Sequence, residues 1–133
     1  MLMSRVIRFA ESVLLAATAA ADTLTLQFDP CYGLQSEGIP GVDRTTLWLH
    51  TVELVLTEAE WTDWPEFPLT LTGAEIRDPP HLYRAHLPLP YQSRGALQFT
   101  FHFGESASWR VSARTAVMHV LSKRYLRHLE PAQ

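Results

Sequence analysis

The chain is defined first by what it has little of. Its 133 residues contain one cysteine, Cys31, so no internal disulfide can form, a usage that fits a reducing compartment. Eleven basic against fourteen acidic residues leave a net charge of −3, which gives no electrostatic footprint for nucleic acid. No apolar run approaches the ~20 residues a membrane-spanning helix needs. Six histidines are present, but His-x-His, His-Glu-x-x-His and Cys-x-x-Cys spacings are all missing, so the local signatures of a metal site are absent. Glycine-rich phosphate loops are absent too, and no cofactor is implied.

What remains is the composition of one globular domain spanning residues 1–133, with 47% hydrophobic and 19% charged residues. The start, Met1-Leu2-Met3-Ser4-Arg5-Val6-Ile7-Arg8 followed by Val13-Leu14-Leu15-Ala16-Ala17-Thr18-Ala19-Ala20-Ala21, has the outline of a secretory signal. Glu11 interrupts it and the apolar stretch is short, so a cytoplasmic protein is the expectation and secretion the alternative.

Strand signals dominate. Residues 96–103 and 109–114 alternate at period two about Gly104-Glu105-Ser106-Ala107-Ser108, an antiparallel hairpin with a five-residue loop. Leu97, Phe99, Phe101 and Phe103 share one face of it, opposite Trp109, Val111 and Ala113, while Gln98, Thr100 and His102 point away. A change of apolar parity between Val117 and Met118 predicts a bulge or strand end near residues 115–118. Residues 7–17 and 23–28 alternate about a turn at Ala20-Ala21-Asp22, which favours a second hairpin over the helix that the alanine content would support. Asp29-Pro30-Cys31-Tyr32-Gly33 is expected to end that strand, and a polar loop with Gly38-Ile39-Pro40-Gly41 to run on to Asp43.

Residues 45–57 predict a long strand with apolar residues on both parities, covered on both faces in its first half or switched by a bulge. Short strands are expected at 69–72 and 82–89, the second ending at an edge because Pro88 and Pro90 cannot donate to a ladder. Leu121, Tyr125, Leu126 and Leu129, behind Ser122, fall at helical spacing and predict a short C-terminal helix. The fold class is therefore all-β, an antiparallel β-sandwich or open barrel of about six to eight strands with that helix at its end.

Function is less legible. An enzyme would have to draw on strand histidines, His50 and His102 with a carboxylate such as Glu53, as a hydrolase or a metal-dependent enzyme. Ser106 lacks the second glycine of a nucleophile elbow, and Cys31 has no basic neighbour to lower its pKa. No catalytic residue or metal ligand is assigned. Trp61-Thr62-Asp63-Trp64-Pro65-Glu66-Phe67-Pro68 combines aromatic rings with carboxylates, either as a small-ligand surface or as a plug over the end of the fold. A carbohydrate or apolar ligand would use Trp61 and Trp64, with Trp48, His50, His102 or Tyr91 as further candidates.

Charge is segregated along the chain. Residues 45–76 carry six acidic and no basic residues, whereas 77–127 carry eight basic residues against Asp78 and Glu105. Such halves can pair within one fold or steer two copies together. The leading expectation is thus a non-enzymatic interaction module that self-associates as a homodimer or binds another protein, with no nucleic acid or membrane partner. The basic stretch Lys123-Arg124-Tyr125-Leu126-Arg127-His128 reads as the favourable charge of a last helical turn.

The rhythm of Val-Leu-Leu-Ala at 13–16, Leu-Thr-Leu-Gln-Phe at 24–28, Leu-Pro-Leu-Pro at 87–90, Gly-Ala-Leu-Gln-Phe-Thr-Phe at 95–101 and Trp-Arg-Val-Ser-Ala at 109–113 resembles small bacterial β-sandwich domains of uncharacterised function. The resemblance covers most of the chain, rests on strand pattern and implies no catalytic residues.

Overall fold

The computed structural model describes residues 4–36 and 45–129; the loop expected around Gly38-Ile39-Pro40-Gly41 lies outside them. Among the described residues are ten strands and no helix: β1 (Ser4–Arg8), β2 (Val13–Ala20), β3 (Thr23–Ser36), β4 (Thr45–Thr57), β5 (Glu60–Trp61), β6 (Leu69–Asp78), β7 (His81–Arg84), β8 (His86–Pro88), β9 (Gln92–Phe103) and β10 (Ala107–Leu129). The fold is all-β and antiparallel throughout.

Strands are ordered β2-β6-β9-β10-β4-β3-β1-β8 in one sheet, with β5 beside β10, β7 beside β6 and a further ladder between β2 and β3. That ladder closes a circuit of pairings through β2, β6, β9, β10, β4 and β3. The end of β3, the start of β4 and the end of β10 run on past it. There β1 pairs with residues 32–36 of β3, and β8 pairs with β1. β8 is an edge strand, as its prolines require.

Period-two alternation explains the core. Leu97, Phe99 and Phe101 of β9 are buried and lie opposite Ala113, Val111 and Trp109 of β10, while Gln98, Thr100 and His102 on the other face are half-buried. Phe9, Phe28 and Phe101 meet with ring centroids 5.8–6.1 Å apart, tying the first hairpin to the last. Each such ring contributes about 1.5–3 kcal/mol through burial alone. Residues 13–20 are strand, not helix. β2 and β3 turn at Ala21 and Asp22, with Leu14 facing Phe28 across the ladder.

The structure corrects four expectations. The hairpin loop is three residues, because Ala107 already pairs with Phe103 and Gly104 takes a left-handed φ of 62° to begin the turn. Residues 29–33 do not end the second strand. β3 absorbs Asp29 and Pro30 as a register shift between Phe28 and Cys31 and continues to Ser36. The strands number ten against the expected six to eight, since residues 82–89 divide at Ala85 into β7 and β8 and short pieces such as β5 join the sheet.

The fourth concerns the C-terminal helix, which is instead the last part of β10. Register against β4 shifts between Val120 and Ser122 and again between Tyr125 and Arg127, so Leu121 and Leu126 are extra residues. Two bulges break the period of two and leave leucine spacings that mimic a helix. Against β9, β10 shifts register between Ala113 and Thr115, and that ladder ends at Val117 facing Gln92.

Candidate functional site

Beyond the closed circuit, the extended ends of β3, β4 and β10 and the neighbouring β1 line an open-sided cavity of about 380 Å3. Val6, Leu34, Trp48, Leu89, Met118 and Val120 give it largely apolar walls. Register places its residues. Gly33 faces Trp48 between β3 and β4, His50 faces Lys123 and Trp48 faces Tyr125 between β4 and β10. Cross-strand partners share a face of the sheet, so the bulge at Leu121 brings Lys123 to the same side as Val120.

His50 sits at the base of this wall and is buried to 7% exposure. Its Nδ1 lies 3.1 Å from the carbonyl of Ser122, a partner that can only accept, so Nδ1 carries the proton and Nε2 is left as the acceptor. Burial lowers its pKa from the ordinary histidine value. The Ser122 carbonyl opposes that, and Lys123 and Arg5 add to it. Burial thus favours the neutral ring. Gly33 makes room for it: a Cβ at residue 33 would stand 2.6 Å from Cδ2 of His50 and closer still to Nε2.

The ammonium of Lys123 lies 4.3 Å from the centre of the Trp48 ring and donates to Oε1 of Gln35 at 3.4 Å. Trp48 is fixed in turn by its indole N–H, which donates to Oγ1 of Thr46 at 2.8 Å, and by an edge contact with Tyr125 at 5.4 Å. Arg5 brings a second cation to the lining, and among the described residues no lining residue is acidic. The cavity therefore combines an apolar body with two positive charges.

The other sequence candidates lie elsewhere. Trp61, Trp64 and Phe67 build a ring cluster over Trp109. Trp64 lies 5.5–5.8 Å from each of the other three, and the Trp109 indole donates to the carbonyl of Thr62 at 3.4 Å. Trp109 is 1% exposed and Trp64 46%, the arrangement of a plug with its outer ring in solvent. His102 pairs with Gly73 and Ser108 on the outer face of the last hairpin and is not part of the His50 cavity. Glu53 stands on the opposite face of β4 from His50, paired with Gln27 and His119. No group of three or more His, Cys, Asp or Glu residues is arranged to hold a metal ion among the described residues.

Tyr91 is buried and donates to Asp78 Oδ2 at 3.1 Å, with Ser93 donating to Oδ1 at 2.8 Å; burial, followed by the Asp78 charge, pushes the phenol pKa up. This bracket ties the start of β9 to the end of β6. Cys31 is fully buried, and desolvation raises its thiol to about 12, so it is an inert core residue at neutral pH. A second, shallower depression on the outer face of the last hairpin mixes Glu58 and Glu60 with Arg77 and Arg114.

Sequence reasoning singled out Trp48 and His50 but missed Arg5, Gly33 and Lys123. Trp48 and His50, two apart on one strand, were the only local signal. No helix among the described residues is long and apolar enough to cross a membrane. Compared with protein-family models, curated proteins and solved structures, the chain matches none.

Proposed function

We propose that this protein binds a small amphipathic anion, a fatty or aromatic carboxylate, in the cavity between β1, β3, β4 and β10. One observation carries the reading: about 380 Å3 of mostly apolar space whose lining, among the described residues, includes Arg5 and Lys123 and no carboxylate. That volume falls in the lower range of small-molecule sites, roughly 300–1,000 Å3, which are typically apolar with a few placed polar groups. The apolar walls favour a hydrocarbon or aromatic body, and the cations favour a negative head. Trp48 lies against the space the body would fill and reports on its arrival.

Fluorescence titration with decanoate tests this. Binding is expected to be saturable, with the emission change lost in Trp48→Phe and the affinity reduced about three- to tenfold at low salt in Lys123→Ala. Absence of saturation, or an emission change that survives Trp48→Phe, would contradict the reading.

A further inference from the structure

β10 has an unpaired edge. One side of it is occupied by β5 at Val111 and Ser112 and by β4 from Thr115 to Leu129, apart from the bulged Leu121 and Leu126. On the other side β9 stops at Gln92, and the Met118 N–H donates to the Tyr91 carbonyl at 3.1 Å. Beyond that point no described residue pairs with residues 119–129 on this side. At about 3.3 Å per residue the free edge is long, a template of outward backbone donors and acceptors.

Three of the six exposed large hydrophobic residues among the described residues stand on this edge: Val120 at 42%, Leu121 at 58% and Tyr125 at 44% exposure. The rest of its character is basic. Lys123, Arg124 and Arg127 are exposed, and β10 contains no acidic residue. Neither Arg124 nor Arg127 makes an ion pair among the described residues. Two copies joined edge to edge would set these three cations against their equals, which disfavours a symmetric pair. An extended segment whose carboxylates alternate with apolar residues meets every feature. It completes the ladder, neutralises Arg124 and Arg127, and covers Val120 and Tyr125.

We infer that residues 119–129 of β10 are a docking edge for an acidic, extended peptide segment of a partner protein, which adds to the sheet as a further strand. Through Val120 and Lys123, which also line the cavity, such a strand would lie along one wall of the ligand site. The inference does not depend on that site being occupied.

The test uses a fluorescein-labelled twelve-residue peptide alternating glutamate with valine or threonine, and a matched peptide with lysine in place of glutamate. Anisotropy is expected to show saturable binding of the acidic peptide alone, weakened about tenfold or more by the triple variant Lys123→Glu, Arg124→Glu, Arg127→Glu. Hydrogen exchange on the complex is expected to show new amide protection confined to residues 119–129, which a merely electrostatic contact would not give. Equal binding of both peptides, binding without that protection, or tighter binding of a twelve-nucleotide oligothymidylate or a phosphatidylglycerol vesicle would overturn the inference. So would a dimer by light scattering that protects the same edge without peptide.

Discussion

The imidazole of His50 fills the space in which a side chain at residue 33 would stand, so that Gly33 on β3 and His50 on β4 are sterically complementary. The ring is held from its far side by the Ser122 carbonyl of β10, which leaves it little freedom to retreat. Three strands are thus locked at the base of the cavity. Gly33→Ala is expected to destabilise the protein by about 1–3 kcal/mol, the usual cost of overpacking. His50→Ala in the same chain should recover part of that loss, and a double-mutant cycle by thermal melting measures the coupling. Additive effects would mean that the ring moves aside freely.

The same histidine gives stability a pH dependence. Its folded pKa lies below the unfolded value of about 6.5, so the unfolded chain binds more protons as pH falls. Stability is full above that value and is lost as pH drops from about 6.5 toward the folded pKa. His86 is shifted the same way, by partial desolvation and then by Arg8, and adds to the effect. The melting temperature is expected to fall between about pH 7 and pH 5, with a shallower fall in His50→Asn. An identical slope in that variant would assign the effect elsewhere.

The last hairpin separates core from surface at adjacent residues. Phe101 is fully buried and touches Phe9, Phe28, Phe99 and Trp109, whereas Thr100 is half-buried on the outer face. Phe101→Asp is expected to cost on the order of 4 kcal/mol or more, because it buries a charge and opens a void, and to abolish folded protein. Thr100→Asp should remain folded. Circular dichroism of the two purified variants decides this, and equal damage would mean that both faces are sealed.

Trp64 tests the plug. It is the most exposed ring of the cluster over Trp109, so Trp64→Ala should lower stability by about 1–2 kcal/mol while leaving decanoate affinity unchanged. Unchanged melting with loss of decanoate binding would move the ligand site to this end of the fold.

The extent to which the sequence disclosed all this follows from where its periodicity is unbroken. Residues 97–103 alternate without interruption, and residues 45–57 form the long strand their composition predicts, with buried positions changing parity between Leu47 and His50. Leu121 to Leu129 misled because bulges at Leu121 and Leu126 each insert a residue, turning two short period-two runs into a false helical repeat. Asp29-Pro30 misled likewise, since turn-forming residues were absorbed as a register shift inside β3. The cavity was legible only in Trp48 and His50. Arg5, Gly33 and Lys123 come from three other strands, and their approach depends on a strand order that residue pattern does not encode. Lys123 was further hidden in a basic run whose charge had a sufficient local explanation as a helix terminus.

The ligand cavity is the central claim, and amide chemical-shift mapping by NMR during a decanoate titration tests it most directly. Saturable shifts are predicted for Gly33, Trp48, His50 and Lys123, with decanol producing weaker changes and decylamine the weakest. Shifts confined to the Trp61–Trp64 cluster, or the same response to all three compounds, would contradict an anion-selective site between β1, β3, β4 and β10.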